Sequence, residues 1–186
     1  MRLFIAIPVP SEVKIALSEA QARLRTWAVS GDAVRWTPPE QFHLTLIFLG
    51  EVAADTVEKI SRQAGLICGD FPSLTLCASG IGCFPERGAP RVIWAGIREE
   101  SGALVELQRA LASFFEQQGA KEKFSAHVTL GRLRGVRAGE ARRIREQSAR
   151  CGDFTSCWTA ERVELMQSEL RASGAVHSRV AVFPFH

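Results

Sequence analysis

Short apolar runs recur along the chain, and glycine, proline or serine bounds each of them. The runs are rich in β-branched and aromatic residues, a composition typical of β-strands in a partly buried sheet. We expect eight strands, over residues 3–8, 42–49, 73–83, 91–97, 124–133, 154–159, 162–167 and 179–183.

Between several of these runs the apolar residues recur every three or four positions, which predicts amphipathic helices. Ser11 is placed to cap the first helix, and Asp55 with Glu58 has the spacing of a capping pattern before the second. Gly119 is expected to end the third. We expect four helices, over residues 13–27, 57–67, 104–114 and 138–150.

The elements follow the order strand, helix, strand, helix, strand, and the same five elements come again from residue 91. No linker or low-complexity stretch separates the two copies, so we expect two closely joined lobes made by an approximate duplication. Residues 1–186 then form one domain, with a first lobe of about residues 1–90, a second of about 91–186, and C-terminal strands able to exchange between lobes.

The composition narrows the class of protein. A chain of 186 residues can bury a substantial core without metals or disulfides. Its 46% hydrophobic and 23% charged residues are ordinary for a globular domain. No apolar run approaches the length of a membrane helix, about 18 residues, and the short N-terminal stretch lacks the features of a signal peptide. We therefore expect a cytoplasmic protein that does not cross a membrane.

The five cysteines are odd in number and contain no C-x-x-C pair, so they indicate neither a disulfide framework nor a zinc site. We interpret them as small buried hydrophobes in a reducing compartment. A catalytic cysteine would have no local signature here. The cysteines are Cys68, Cys77, Cys83, Cys151 and Cys157.

The net charge of +3 is unevenly distributed. Residues 131–150 carry seven arginines against two glutamates, a local charge of +5. Such a run is either a solvated surface or a landing patch for phosphates, and the sequence leaves both interpretations open.

Two of the predicted strands carry the same motif, His-x-Thr followed by leucine. It places His43 and Thr45 on one strand and His127 and Thr129 on the other. Side chains alternate between the two faces of a strand, so each histidine shares a face with its threonine, about 7 Å away along the backbone. The apolar residues between them point to the opposite face.

A single motif of this kind is more often a half-buried strand pair than a functional site. Two copies are harder to obtain by accident, since a given histidine begins such a pattern by chance about once in a hundred times. On equivalent strands of a duplicated fold, they would meet about an approximate two-fold axis. We therefore expect all four side chains to face one cavity.

These residues suit displacement at phosphorus. Two imidazoles with pKa values of about 6.5 can serve as general acid and general base, and two hydroxyls can donate hydrogen bonds to phosphate oxygens. Arg132 would face away on a regular strand, but a bulge at Gly131 would turn it towards the cavity as a phosphate ligand. No metal-ligand spacing accompanies the histidines, and which of them is the acid stays open.

The surroundings of the two motifs resemble the two-histidine (2H) phosphoesterase superfamily, and within it the RNA 2′,3′-cyclic phosphodiesterases, historically called 2′-5′ RNA ligases. The resemblance implies a two-lobed α+β fold with mainly antiparallel sheets, outer helices and a central cleft. It also implies hydrolysis of a terminal 2′,3′-cyclic phosphate to a 2′-phosphate. The similar segments are R-L-F-I-A-I-P (2–8), R-W-T-P-P-E-Q-F-H-L-T-L (35–46), F-L-G-E-V (48–52), G-C-F-P (82–85), H-V-T-L-G-R (127–132), S-E-L (168–170) and F-P-F (183–185).

The resemblance also assigns roles. It makes His43 the proton donor to the departing O3′ and His127 the proton acceptor from the attacking water. Thr45, Thr129 and Arg132 fall on its phosphate-binding positions. One departure is Ala126, where the family often has proline, and it bears on the rigidity of the preceding loop more than on catalysis.

Other aromatic and histidine residues lie outside the two motifs. His177, in a polar stretch, and His186, at the end of the sequence, are expected to be exposed and without a role. Trp27, Trp94 and Trp158 fit core packing. Trp36 and Phe84 lie in or beside proline-containing loops, where either is a candidate to stack on a nucleobase.

Several functions remain open at this point. The first is a hydrolase for RNA with a 2′,3′-cyclic phosphate end, including tRNA fragments. The second is a phosphodiesterase for small cyclic nucleotides or 2′-5′-linked oligonucleotides, or the reverse joining reaction. The third is an RNA-end binding module without catalysis, which would not need two titratable groups. We expect a monomer with no metal or other cofactor.

Overall fold

The computed structural model describes residues 1–27, 34–115, 124–136, 138–171 and 174–186. Within these ranges it has nine strands and four helices. The strands are β1 (Arg2–Pro8), β2 (Val34–Trp36), β3 (His43–Glu51), β4 (Leu74–Phe84), β5 (Val92–Arg98), β6 (His127–Leu133), β7 (Thr155–Ala160), β8 (Arg162–Arg171) and β9 (Gly174–Pro184). The helices are α1 (Ser11–Trp27), α2 (Val57–Gly69), α3 (Ala103–Phe115) and α4 (Ala138–Cys151).

The strands form one antiparallel sheet, in the order β7-β4-β5-β6-β3-β1-β8-β9, with β2 paired to β6. The path of eight strands has two halves of four, which meet where β3 and β6 share the single residue pair Leu44–Val128, and β2 adds a fifth strand to the half of β6. β8 and β9 pair onto β1, and β4 lies between β5 and β7. The fold is the duplicated α+β fold with antiparallel strands that the resemblance implied. The division into lobes near residue 90 stays a prediction.

One face of the sheet carries the hydrophobic core and the other stays open. On β1 the alternation is complete: Leu3, Ile5 and Ile7 belong to the core cluster, while the buried Phe4 and Ala6 do not. The helices pack on the core face, for example α2 on β9, α3 on β3 and α4 on β4. Burial of one stripe per helix removes apolar area from water and holds the two halves over a common core.

Helix α1 shows how the predicted periodicity becomes a tertiary contact. Val13, Leu17 and Ala20 on its inner face are fully buried. The adjacent Gln21 is also buried, and its Nε2 donates hydrogen bonds to the carbonyls of Thr37 and Leu130, each at 2.8 Å. A buried amide is costly unless it is hydrogen-bonded. These two bonds offset that cost and link α1 to the segments that contain Thr37 and Leu130.

The structure differs from the sequence-based expectations at several boundaries. The predicted capping of α2 by Asp55 and Glu58 is wrong, because Thr56 is the N-cap of this helix and its side chain makes no capping hydrogen bond. The three-residue strand β2 was not predicted, since its register comes from its partner β6. Strand β9 begins at Gly174 and not at residue 179. Gly119, expected to end α3, lies outside the described residues.

The cysteine interpretation is wrong for one pair. Cys77 on β4 and Cys157 on β7 face each other in the sheet and form a disulfide, with a sequence separation of 80 residues. Register between distant strands decided this, and cysteine spacing does not report it. Cys68, Cys83 and Cys151 are buried thiols as expected, and burial raises the pKa of Cys68 to about 12. No helix in the described ranges is long and apolar enough to cross a membrane.

Candidate active site

The two motif strands lie side by side where the halves of the sheet meet. Leu44 is opposite Val128, and both are fully buried on the core face. The residues on either side of a paired residue point to the other face of the sheet. His43 and Thr45 therefore share the open face with His127 and Thr129, and all four are partly exposed there.

The single pair Leu44–Val128 indicates how these four groups alternate. Ideal antiparallel register on either side of it would place each histidine opposite the threonine of the other strand. The two histidines would then be diagonal neighbours, and diagonal positions in such a pair lie about 7–8 Å apart. That separation leaves room for one phosphate between two imidazoles, with a hydroxyl at each of the remaining corners.

Both imidazoles are anchored in the same way. Nδ1 of His43 lies 2.7 Å from the carbonyl oxygen of Gln41, and Nδ1 of His127 lies 2.7 Å from the carbonyl oxygen of Ser125. A carbonyl can only accept, so Nδ1 carries the hydrogen and donates it in each case. Nε2 is then the nitrogen left to exchange a proton with a ligand in the cleft.

His43 lies in the more crowded half of the cleft. Its ring centroid is 4.9 Å from that of Phe4 and 5.1 Å from that of His177. The pKa of His43 is lowered from 6.5 to about 4, mainly by burial and further by the nearby His177, His127 and Arg132, against the bond to Gln41, which raises it. With this pKa, the imidazole of His43 is neutral at pH 7.

His127 is bounded by aromatic rings from β4 and β5. Its centroid is 5.1 Å from that of Phe84 and 6.4 Å from that of Trp94, and these two aromatic rings are 5.0 Å apart. Burial and the charge of Arg132 lower the pKa of His127, while the bond to Ser125 raises it. The surroundings of His127 therefore favour its neutral form.

The expected bulge brings Arg132 to the open face. On β5, Ile93 pairs with Gly131 while the next residue, Trp94, pairs with Thr129, so β6 has one extra residue at this point. The extra residue reverses the alternation, and Arg132 becomes exposed on the histidine face. A Cβ at position 131 would approach β2 to within 3.0–3.1 Å, so glycine suits the close pairing of these strands.

The structure thus brings all five sequence-predicted site residues to one face. Arg132 is also electrostatically coupled to the histidines, since its charge contributes to the lowered pKa of His43 and of His127. Two imidazoles, two hydroxyls and a guanidinium can hold an anionic phosphorus centre and move protons on either side of it. Within the described ranges, no group of three or more His, Cys, Asp or Glu is placed to hold a metal ion.

Of the two aromatic residues considered for stacking on a nucleobase, the structure brings one into the site. Phe84 lies in the site, whereas Trp36 pairs with Gly131 and has the Arg25 guanidinium 5.3 Å from its ring centre.

In the arginine-rich run of residues 131–150, Arg142 is paired with Glu146 on the surface of α4. Arg145 donates to the carbonyls of Pro85 and Gly88 and so holds the loop after β4. Arg137 lies outside the described residues.

Trp94 and His177 were misassigned from the sequence. Trp94 lies on the open face, where a Cβ at Gly82 would collide with its indole, so the glycine makes room for a ring flat against the sheet. In the sequence R-V-I-W-A-G-I (91–97), Ile93 and Ala95 on either side of Trp94 are buried. Alternation along a strand therefore indicates that Trp94 points to the opposite face. His177 lies on β9 beside His43 rather than in an exposed turn. His186 is exposed as expected.

Comparison with known proteins agrees with this geometry. The profile of the LigT-like phosphoesterases matches the chain twice, over residues 7–94 and 96–177. A protein of Archaeoglobus fulgidus named RNA 2′,3′-cyclic phosphodiesterase is 30% identical over 98% of this chain and 99% of its own length. One of the same name from Thermotoga maritima is 36% identical over 72% of this chain and 71% of its own length.

A crystal structure of a Thermus thermophilus protein has the same fold, with a TM-score of 0.77 and 27% identity, over 99% of this chain and 97% of that one. The double profile match is what a duplicated fold gives, and each match contains one of the His-x-Thr motifs. The chain belongs to the LigT-like phosphoesterase family.

Proposed function

We propose that this protein hydrolyses the 2′,3′-cyclic phosphate at an RNA end to a 2′-phosphate, without a metal ion. The observation that carries the proposal is the pair of Nδ1-anchored imidazoles, His43 and His127, facing one cleft beside Arg132. A group that only bound a phosphate would need neither the paired anchors nor two nitrogens free to exchange protons.

In this mechanism the two imidazoles act on opposite sides of phosphorus. His127 removes a proton from water as the water oxygen attacks phosphorus. The bond from phosphorus to O3′ breaks, and His43 gives its proton to O3′, which leaves as a hydroxyl. The products are a 3′-hydroxyl and a 2′-phosphate, and one proton has passed from His43 while His127 has gained one.

The phosphate contacts follow from the same face. Thr45 and Thr129 each stand beside a histidine, where their hydroxyls can donate to non-bridging oxygens. The guanidinium of Arg132 can form a bidentate contact with phosphate oxygens and stabilise the negative charge that develops there in the transition state. These roles are our assignments for this chain, made from the position of the residues and from the family resemblance.

The assignment of acid and base meets one opposing fact. A proton donor must be protonated before the reaction, yet burial and three neighbouring groups hold the pKa of His43 at about 4. A cyclic phosphate carries one negative charge, and an adjacent anion raises the pKa of an imidazole. In our proposal His43 therefore takes up its proton together with the substrate.

The substrate is proposed to be RNA rather than a free nucleotide. Two relatives at 30% and 36% identity are named RNA 2′,3′-cyclic phosphodiesterases. An open depression of about 540 Å³ begins at Trp94 and Gly96, and Gly96 pairs with His127, so the open face continues from the site towards β4 and β7. Arg98 lies along this depression, where it can meet a backbone phosphate. A cytoplasmic location and a monomeric state complete the proposal.

The test uses an oligonucleotide with a 2′,3′-cyclic phosphate end, incubated with the protein in excess EDTA. We expect conversion to a 2′-phosphate that a 3′-specific phosphatase does not remove, because the bond to O3′ is the one that breaks. A 3′-phosphate product would contradict the assignment of the leaving oxygen. Loss of activity in EDTA that returns with a divalent ion would contradict the metal-free mechanism.

The same assay distinguishes the alternatives. A nucleoside 2′,3′-cyclic phosphate that is turned over with a higher kcat/KM than the oligonucleotide would favour a small-molecule enzyme. Adding a second oligonucleotide with a 5′-hydroxyl end tests the joining reaction, which uses the same two proton transfers in reverse. Binding of the RNA end without turnover in the intact protein would favour the binding module.

A further inference from the structure

A third histidine lies next to His43, contributed by the last strand of the sheet. The ring centroid of His177 is 5.1 Å from that of His43 and 4.9 Å from that of Phe4, with an interplanar angle of 69° in each case. Phe4 is itself 4.9 Å from His43 and only 2% exposed. The three rings form a closed triangle on the cleft face.

A bulge in β9 directs His177 into the cleft. Leu165 on β8 pairs with Ala181, while the next residue, Met166, pairs with Arg179, so Val180 is an extra residue. Ala181 packs against the core, and without the bulge His177 would do the same because it lies an even number of residues away. The extra residue moves it to the opposite face, beside His43.

The ionisable surroundings of the ring triangle are mostly cationic. From β6, His127 and Arg132 act on His43, and Arg132 also acts on His177, whose pKa is lowered mainly by burial. From β1 the contact is the apolar Phe4, and on β8 the cross-strand partner of His177 is the uncharged Ser168. Further along β8, the buried Glu164 is paired with two arginines, Arg162 and Arg179.

We propose that His177 is a positioning residue for His43, holding its imidazole, together with Phe4, at the angle at which Nε2 faces the phosphate. This inference rests on the proposed function, which makes His43 the proton donor. Anchoring at Nδ1 fixes one atom of the His43 ring but leaves the plane of the ring to be set by its neighbours. Proton transfer requires that orientation, and small misplacements of a catalytic group are costly, up to about a hundred-fold in rate.

A second consequence concerns charge. Nδ1 of His177 is buried and has no hydrogen-bond partner among the described residues. A protonated His177 would therefore stand uncompensated beside His43 and oppose its protonation. Replacing His177 by phenylalanine keeps the ring that helps to bury His43 and removes only this charge, so it is expected to raise the pKa of His43, an effect that a ring with a purely structural role would not produce.

The experiment compares His177→Ala, His177→Phe and the control variant His186→Phe. His186 is exposed and lies beyond the end of β9, where its Nδ1 is 3.1 Å from the carbonyl oxygen of Gly69 at the end of α2, so this control changes a histidine outside the ring triangle. For each protein, kcat and KM for a nucleoside 2′,3′-cyclic phosphate are measured over a pH series, and circular dichroism with thermal melting confirms folding. The chain has four histidines, so these variants together with His43→Ala and His127→Ala assign each imidazole in ¹⁵N NMR titrations.

We expect His177→Ala to lower kcat about ten-fold or more with KM within about two-fold, since the substrate is bound but the donor is misaligned. His177→Phe should restore most of kcat, because it keeps a ring against Phe4 and His43. Both variants should raise the NMR pKa of His43, and His186→Phe should match the wild type. The NMR titration needs no turnover, so it reports on His177 even if the proposed reaction proves wrong.

Three results would overturn the proposal. One is a His177→Ala variant with kcat and the pKa of His43 unchanged. Another is an effect confined to KM, which would make His177 a substrate contact. The third is a folded His177→Phe variant as impaired as His177→Ala, which would show that ring packing is not what His43 needs. A wild type without cyclic phosphodiesterase activity contradicts the proposed function instead.

Discussion

The strands of His43 and His127 share one motif and one backbone geometry, but the side chains around the two histidines differ. Each has the histidine, the threonine and an Nδ1 bond of 2.7 Å to the carbonyl two residues earlier. Each also has a bulge after the threonine, at Leu46 in β3 and at Leu130 in β6. The duplication therefore preserved the backbone as well as the motif.

The side chains that follow the two bulges are different. The position five residues after the histidine holds Arg132 in β6 and Phe48 in β3. Arg132 places a charge beside the site, whereas Phe48 is 69% exposed and lies 6.0 Å from Phe4. One strand supplies the cation and the other extends an aromatic surface.

The neighbours of the two histidines differ as well. His43 meets Phe4 and a second imidazole, and the pKa of His43 is about 4. His127 meets Phe84 and Trp94. Acid–base catalysis needs one partner protonated and the other neutral. The motif thus fixes the pair, but the surroundings of His43 favour its neutral form, so the donor role proposed for His43 depends on the charge of the bound phosphate.

Loss of either histidine tests whether both copies of the motif are needed for catalysis. His43→Ala and His127→Ala should each lower kcat by about two to four orders of magnitude, the range for loss of a general acid or base. Because they act in one step, the double variant should fall well short of the product of the single effects. Steady-state kinetics on the oligonucleotide checks this. A folded single variant with near-normal kcat would remove that histidine from the mechanism.

The next effect tests the asymmetry after the bulge. Arg132→Ala should lower kcat by about two to three orders of magnitude even at saturating substrate, because the cation stabilises charge that develops in the transition state. Phe48→Ala, the same change at the equivalent position, should leave kcat on a nucleoside cyclic phosphate within a few-fold. Arg62→Ala on α2, an exposed ion-pair residue, is the control. Equal losses in Arg132→Ala and Phe48→Ala would contradict the assignment.

A smaller effect compares the two hydroxyls. Thr45→Val and Thr129→Val keep the shape of the side chain and remove one donor to the phosphate. Each should lower kcat/KM by about ten- to a hundred-fold, the value of a hydrogen bond to a charged group. If only one of the variants were impaired, the phosphate would lie closer to that strand than the diagonal arrangement predicts.

The smallest effect is a displacement of the pH profile. The pKa values of His43 and His127 are both lowered from 6.5, so in the free enzyme the neutral form of each predominates above that pH, and kcat/KM should fall as pH rises above 6.5. The bound phosphate raises these pKa values, so the alkaline limb of kcat should lie at higher pH, by about one to three units. A kcat/KM that rises steadily to pH 8 would contradict the assigned protonation states.

Most strands and helices were predictable from the sequence, and so were the two histidines and two threonines of the site. The strands and helices follow from apolar periodicity, and the shared face of His43 and Thr45, or of His127 and Thr129, follows from alternation within one strand. These are local properties, set by residues two to four apart. The two copies of the motif further predicted that the strands meet, which the pair Leu44–Val128 confirms.

Contacts across strands were decided only by the tertiary structure. The disulfide Cys77–Cys157 depends on the pairing of β4 with β7, and β2 exists because β6 offers it a partner. The extra residue at Val180 moves His177 from the core face to the cleft. A bulge forms where one strand has an extra residue relative to its partner, and in β9 that extra residue is evident only from the pairing with β8.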